Sequence, residues 1–355
     1  MQKSIQLFLL LLTFGFSSQW IDIESNTPVQ PEITLISSDV ESSTLSFDLE
    51  GFSLNAVLID DLEYTIVKFP LSASIMDAGS PDLPKLSTSI IIPDDKNMIL
   101  EILSSHFIEF ENMNIAPSKG NFSRLIMPED VPYEFNQTYQ TNGFYPNNIA
   151  QLNEPYIVRD FRGQVIEFHP IQYNPITKIL RVYTNITVKA ISDDEDSINI
   201  LDRSRLLDKI DNEFNNIYKN HFINFNNDTR FDYLVDHGNM LIISYGDFMD
   251  EMQPLVDWKN LKGIPTEMVN VSTVGSNSTS ITNYVADYYE QNGLTFLLLV
   301  GDIAQIPSPS VSGSASDISY GCITGNDFYQ EVIVGRISAS VTNSDMRFPA
   351  LAFSL

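Results

Sequence analysis

The stretch Phe296–Asp302 has the sequence FLLLVGD, and it decides the fold of the second half of the chain. Its five apolar residues are followed by Gly301 and Asp302. A short continuous apolar run is typical of a strand whose two faces are both covered by helices. In such sheets ligands bind beyond the carboxyl ends of the strands, and this is where the sequence places Gly301 and Asp302.

A second passage, Tyr320–Arg336, has the sequence YGCITGNDFYQEVIVGR and also joins carboxylates to an apolar run. Asp327, Tyr329 and Glu331 occupy alternate positions, so in an extended loop their side chains would point the same way. Acidic loop residues also serve as caps and turn residues, and spacing alone favours that role over metal binding.

The residues around Phe296–Asp302 alternate between strand and helix patterns. Strands are predicted at Met240–Ser244, Glu267–Val271 and Phe296–Val300, and helices at Phe248–Lys262 and Ser280–Gln291. Gly263 and Gly293 are suited to end the two helices, whereas Pro254 allows a bend or a later start in the first. This alternation predicts an α/β domain with a mostly parallel sheet covered by helices.

Residues 19 to about 190 follow a different pattern of short apolar runs separated by polar turns. The predicted strands are Thr44–Leu49, Tyr64–Phe69, Ser87–Ile92, Met98–Phe107, Tyr156–Phe161, Gln164–Tyr173 and Ile179–Ala190. Many short strands with Gly- and Pro-containing turns indicate a β-rich domain, either an antiparallel sandwich or a barrel.

Composition and the first residues limit the class of protein. The 46 acidic and 20 basic residues give a net charge of −26, which argues against nucleic acid and anionic membranes as partners. Residues 1–18 form a predicted signal peptide, because Lys3 precedes an apolar run of about a dozen residues, shorter than the ~20 of a membrane span. No later segment is apolar enough to span a membrane, so we expect an exported, soluble protein that is secreted or at the cell surface.

The boundary between the two patterns is expected near Arg230. A helical linker is predicted from Ile200 to Tyr218, followed by a polar stretch rich in Asn and Asp. The predicted organisation is a signal peptide (1–18), a β-rich domain with this linker (19–230) and an α/β domain (231–355). Arg230–Phe231 is a candidate site of proteolytic processing, although an ordinary exposed arginine explains it equally well.

Short pieces of sequence from Gly238 to Ser338 resemble, in order and spacing, the opening of the catalytic domain of the gingipain family of secreted cysteine peptidases. The matching pieces are Met240–Ile243, Pro254–Lys259, Lys262–Gly263, Leu298–Asp302, Ile306–Pro307, Ser316–Asp317, Tyr320–Gly321, Gly325–Asp327 and Glu331–Arg336. Residues 60 to 190, with Gly79–Pro84, resemble more loosely the β-rich pro-domain of that family. The resemblance implies a caspase-like three-layer fold and a pro-domain that packs on its own catalytic domain.

The resemblance also implies structural calcium beside the two passages. It assigns carboxylate ligands to Asp302, Asp327 and Glu331, and main-chain carbonyl ligands to Thr324 and Tyr329. Such a set suits Ca²⁺, which takes roughly six to eight oxygen ligands. With the resemblance, calcium binding is favoured over a purely structural role for these residues.

Catalysis in the family requires a His and a Cys thiolate from later strands, and no catalytic residue is expected in this chain. Cys322, the only cysteine, precedes the calcium loop and is interpreted as a small, half-buried residue. None of His106, His169, His221 and His237 is suited to be the catalytic histidine. The tail after Arg347 departs from the helix expected there, which suggests a truncated or frame-shifted end.

Two functions remain open from the sequence. The first is the zymogen fragment of a secreted cysteine endopeptidase acting on protein or peptide substrates, itself inactive without the dyad. The alternative is a non-catalytic calcium-binding secreted module, or part of a secretion machinery, that uses the same fold. A complete gene with or without the His/Cys dyad would distinguish them.

Overall fold

The computed structural model describes residues 18–203, 207–325 and 327–339. The predicted signal peptide up to residue 17 and the tail after residue 339 therefore lie outside the described residues. Within the described residues, no helix combines the length and apolar character needed to cross a membrane.

The N-terminal unit is built from short strands that pair antiparallel. They are β1 (Gln19–Asp22), β2 (Glu32–Ser38), β3 (Ser42–Asp48), β4 (Gly51–Ile59), β5 (Leu62–Lys68), β6 (Ala73–Ser74), β7 (Pro84–Ile91), β8 (Asn97–Phe110), β9 (Ala150–Leu152), β10 (Tyr156–Val158), β11 (Phe161–Phe168), β12 (Ile171–Asn174) and β13 (Ile179–Asp193). One sheet has the order β1-β4-β5. A second has the order β6-β7-β11-β10, with β9 also on β11, and a third has the order β2-β3-β13-β12, with β8 also on β13.

The core of the N-terminal unit lies between these sheets. Leu180, Val182, Ile186 and Val188 of β13 are fully buried, so this strand presents one apolar face to the core. The rings of Phe47 and Phe168 stack there with their centroids 5.6 Å apart. The β-rich, antiparallel character predicted for this region is confirmed.

The C-terminal unit alternates strands and helices. The linker elements that follow β13 are β14 (Lys209–Asp211), α1 (Asn212–His221) and β15 (Leu234–Asp236). The elements of the C-terminal unit are β16 (Met240–Ser244), α2 (Met249–Leu261), β17 (Thr266–Asn270), α3 (Val271–Val274), α4 (Ser278–Asn292), β18 (Phe296–Val300), β19 (Ser310–Val311), β20 (Ser314–Ala315) and β21 (Ile333–Ile337). A four-stranded parallel sheet has the order β17-β16-β18-β21. The stretch Phe296–Val300 therefore lies inside this sheet as β18, between β16 and β21.

Helices cover both faces of the parallel sheet, and both faces of β16 carry apolar side chains that pack against them. Met240 and Ile242 pack with Met252 and Val256 of α2. Leu241 and Ile243 pack with buried residues of α4 on the opposite face. This arrangement of helix, sheet and helix confirms the predicted α/β fold.

The linker between the two units differs from its prediction. The helix predicted from Ile200 to Tyr218 is correct only from Asn212, where α1 begins, because the described residues before it are not helical. Lys209–Asp211 instead pair in parallel with Leu234–Asp236. This ladder holds the segment extended until α1 begins, with Asp211 as the residue that precedes the helix.

Candidate functional site

Asp302 lies in the turn that follows β18, as the sequence predicts. Its Oδ1 accepts hydrogen bonds from the Ile303 N–H (2.8 Å) and the Ser338 Oγ (3.1 Å). Its own N–H donates to the Ala339 carbonyl (3.0 Å). Gly301 has φ 142°, a conformation that L side chains rarely adopt, and it lets the chain turn sharply here. Asp302 thus ties the end of β18 to the residues that follow β21.

Glu331 is the carboxylate that is buried most deeply in the second passage, with none of its surface exposed. Its Oε2 accepts hydrogen bonds from the N–H groups of Ile323 (2.6 Å) and Thr324 (3.1 Å). Its Oε1 is buried and has no hydrogen-bond partner. Burial, reinforced by the charge of Asp327, raises the pKa of Glu331 to about 7.

Asp327 is turned towards the N-terminal unit. Its Oδ2 accepts from the Ile157 N–H (2.8 Å) and from the Asn199 Nδ2 (3.0 Å), and its Oδ1 accepts from the Tyr329 N–H (2.9 Å). The Tyr329 ring stacks on Tyr156 with centroids 4.3 Å apart. Residues of this loop therefore contact the β-rich unit directly.

Glu331 Oε1 is the buried carboxylate oxygen of the predicted ligand set that is free to bind a cation, whereas the carboxylates of Asp327 and Asp302 accept hydrogen bonds. A hard cation would satisfy Glu331 Oε1, because carboxylate oxygens are the ligands that Ca²⁺ prefers. Thr324, Asp327, Tyr329 and Glu331 share this loop, whereas Asp302 is hydrogen-bonded to Ser338. Across the part of the chain that the structure describes, no three His, Cys, Asp or Glu side chains form a metal-holding group.

Cys322 is half-buried, and its thiol contacts the Ile318 carbonyl at 3.8 Å. Burial, followed by the charges of Glu331 and Asp327, raises the pKa of the Cys322 thiol. A raised pKa keeps the thiol protonated and unreactive, since the thiolate is the nucleophile. Two of the histidines have close side-chain partners. His169 Nε2 lies 2.8 Å from Glu167 Oε1, and His221 Nε2 lies 2.7 Å from the Tyr156 hydroxyl.

The predicted processing bond, Arg230–Phe231, is held by contacts with the β-rich unit. The Arg230 guanidinium pairs with Asp228 (2.7 Å) and Asp94 (3.2 Å), and only 12% of its side chain is exposed. The Phe231 ring packs in an aromatic cluster that includes Phe161. Arg230 is therefore not the ordinary exposed linker arginine of the alternative prediction, because its side chain is largely buried.

Arg159, which the sequence did not single out, joins the two units. It lies in the tight turn between β10 and β11 with φ 48°, and 9% of its side chain is exposed. Its guanidinium pairs with Asp211 (2.7 Å) and donates to the carbonyls of Leu294 (2.9 Å) and Glu331 (3.3 Å). An arginine next to an aspartate between two apolar strands was the available signal, and it is too common to be decisive.

Two family models match the chain in succession. The model Propeptide_C25 matches residues 24–231, and the model of Peptidase family C25 matches residues 234–346. A β-rich unit packed against the start of an α/β peptidase domain therefore defines the class as a peptidase precursor. The chain belongs to the gingipain family, Peptidase family C25, and comprises its propeptide and the start of its peptidase domain.

Relatives of known name support this assignment. The chain is 37% identical over 314 residues to Gingipain R2 of Porphyromonas gingivalis, covering 87% of this chain and 42% of that protein. It is 36% identical over 315 residues to Gingipain R1 of the same organism, covering 87% of this chain and 31% of that protein. The chain thus spans less than half the length of these curated relatives.

A solved structure also matches the chain. It is the complex of the pro- and mature domains of RgpB from Porphyromonas gingivalis, matched with a TM-score of 0.52 and 35% identity over 56% of this chain and 98% of that chain. That structure is a complex of a pro-domain with a mature domain, and the present structure likewise has its β-rich unit in contact with its α/β unit. The matches do not support the alternative of a non-catalytic module.

Proposed function

We propose that this chain is the pro-domain and the first part of the catalytic domain of a secreted cysteine endopeptidase acting on protein or peptide substrates. The observation that carries the proposal is the succession of the propeptide and peptidase models over residues 24–231 and 234–346. The reaction is attack of a Cys thiolate on the peptide carbonyl, with a His moving the proton and backbone N–H groups holding the oxyanion. The chemistry of Cys322 does not suit it for this role, so both groups would lie outside this chain.

The complete gene provides the test. We expect it to encode a His and then a Cys, each at the end of an apolar strand, after Arg347. The processed full-length protein should cleave peptide substrates, and alkylation of its thiol or substitution of that Cys by Ala should abolish cleavage. Replacement of Cys322 by Ala is the matched control and should leave activity unchanged. A full-length protein without thiol-dependent cleavage would contradict the proposal.

Structural calcium is the second part of the proposal. The carboxylates of Asp302, Asp327 and Glu331 and the main-chain carbonyls of Thr324 and Tyr329 would hold it. The support is the buried, unpartnered Oε1 of Glu331. Calcium would neutralise this group and order the loop, which is a structural and not a chemical contribution.

Calcium titration with thermal unfolding tests this site. A cation that binds only the folded state stabilises it by about 2.7 kcal/mol at a hundredfold excess over Kd. We expect the midpoint of the full chain to rise with calcium, and the rise to disappear in Glu331→Gln and shrink in Asp327→Asn. Asp287→Asn, which changes an exposed carboxylate of α4, is the control. An undiminished calcium response in Glu331→Gln would place the site elsewhere.

The processing bond and the location complete the proposal. Hydrolysis of Arg230–Phe231 would separate the propeptide from the peptidase domain, because the propeptide match ends at residue 231 and the peptidase match begins at residue 234, directly after the bond. The predicted signal peptide supports export to the medium or the cell surface. N-terminal sequencing of the protein recovered from the culture medium should find Phe231 first, and another first residue would move the processing site.

A further inference from the structure

The segment Asp228–Phe231, here called the latch segment, is fixed by a cluster of charged groups. Arg230 pairs with Asp228 within the segment and with Asp94 from outside it. Its Nη1 also donates to the Ile92 carbonyl (3.2 Å), directly after β7. The side chain that would precede the cleaved bond is thus bound by three groups, two of which, Asp94 and the Ile92 carbonyl, belong to the β-rich unit.

The residue on the other side of the bond is held as well. The Phe231 ring lies 4.6 Å from the guanidinium carbon of Arg203 and 5.5 Å from that of Arg230. Arg203 is itself bound to Asp94 and to the Asp160 carbonyl. Asp94 therefore accepts from both arginines that flank the Phe231 ring, and it is the common anchor of the cluster.

This geometry is unsuited to hydrolysis by a peptidase. A peptidase binds its substrate as an extended segment and takes the side chain before the cleaved bond into its own pocket, so cleavage sites concentrate in exposed loops. Arg230 can enter such a pocket only after it leaves Asp94, Asp228 and the Ile92 carbonyl. Local opening must then precede cleavage, and the rate follows the population of the open form when opening is fast.

We propose that Asp94 and Asp228 act as a latch that protects the Arg230–Phe231 bond until the latch segment opens. When it opens, a peptidase adds water across the bond: hydroxide goes to the Arg230 carbonyl carbon and hydrogen to the Phe231 nitrogen. The importance of the latch for activation rests on the processing site proposed above. The protection itself does not, because any protease that cleaves after arginine can measure it.

Limited digestion of the full chain with trypsin measures the protection. The rate of cleavage after Arg230 is followed by mass spectrometry and compared with that of a synthetic peptide covering residues 222–238. Arg124–Leu125, in an exposed loop where Leu125 is 95% accessible, is the reference bond within the same chain. We expect cleavage after Arg230 to be at least about tenfold slower in the folded chain than in the peptide.

Asp94→Asn is the decisive variant, because it leaves the sequence seen by trypsin unchanged. Loss of its charge-assisted hydrogen bonds should raise cleavage after Arg230 by roughly tenfold. Asp95→Asn removes the same charge one residue away, at an exposed position, and should behave as the parent chain. Cleavage after Arg162, whose side chain is fully buried, should stay slow in both variants, which separates local opening from global unfolding.

Two results would overturn the latch. One is cleavage of the parent chain after Arg230 at the rate of the free peptide. The other is an Asp94→Asn rate equal to that of Asp95→Asn. If Asp94→Asn unfolds globally, Arg230→Lys, which keeps a trypsin site, must give faster cleavage relative to its own peptide, or the latch is rejected. Sequencing of the exported protein decides separately whether this bond is the processing site.

Discussion

At the scale of single residues, Arg159 is the side chain whose loss should harm the chain most. Replacement by Met would leave the buried carboxylate of Asp211 without its ion-pair partner, and removing one partner of a buried pair costs about 3 to 5 kcal/mol. We expect a decrease of this size in the free energy of unfolding measured with urea. Lys96→Met, which breaks the exposed pair with Asp194, is the control and should change nothing measurable.

Asp317 gives a prediction about pH. Its pair with Arg336 (2.7 Å) lowers the pKa of Asp317 below the usual 3.8. A carboxylate with a lowered pKa contributes stability above its unfolded pKa and loses it as the pH falls through the folded pKa. We therefore expect Asp317→Asn to lower the thermal midpoint by roughly 2 to 4 °C at pH 7 and progressively less below pH 3.8. An equal difference at pH 7 and at the acid end would contradict the assignment, and Asp287→Asn should show no difference at either.

At the scale of elements, the turn before the loop that carries Asp327 and Glu331 depends on Gly321. A Cβ at this position would lie 2.3 Å from the Val332 carbonyl oxygen, and the Glu331 N–H donates to the Gly321 carbonyl. Gly321→Ala should push the loop away from β21 and cost about 1 to 3 kcal/mol in the free energy of unfolding. Gly143→Ala, with open space around its Cβ, is the matched control. Equal stability of the two variants would mean that the turn accommodates a Cβ at position 321 without loss of packing.

The elements also show which sequence signals were reliable. Phe296–Val300 was predicted residue for residue, because a strand covered on both faces must be apolar at every position. The part of the predicted helix that precedes α1 is not helical, because Lys209–Asp211 pair with a strand more than twenty residues later. A local sequence pattern cannot indicate that a strand pairs with a partner so distant in sequence.

At the scale of the whole molecule, the contact between the two units should survive cleavage of the chain. Arg159, Asp327 and the stacked pair Tyr156 and Tyr329 all join the units without depending on the Arg230–Phe231 bond. If a site for a sequence-specific protease is inserted at this bond and cut, we expect both fragments to elute together in size-exclusion chromatography at micromolar concentration.

A variant combining Arg159→Met with Asp327→Ala tests whether these contacts are responsible. After the same cut, its fragments should separate or exchange more readily, whereas fragments carrying Lys96→Met should stay together. Separate elution of the unmodified fragments would mean that the interface holds only while the chain is continuous.

The sequence by itself determined the two folds, the family and the carboxylates of the second passage, because apolar periodicity and motif order are local properties. Whether calcium binds there stays a prediction. Only the tertiary structure decided what those carboxylates contact: Asp327 turns to Ile157, Glu331 is buried with one free oxygen, and Arg230 is held by Asp94. These partners lie more than a hundred residues apart in two of the three cases, and chain folding alone brings such groups within hydrogen-bond distance.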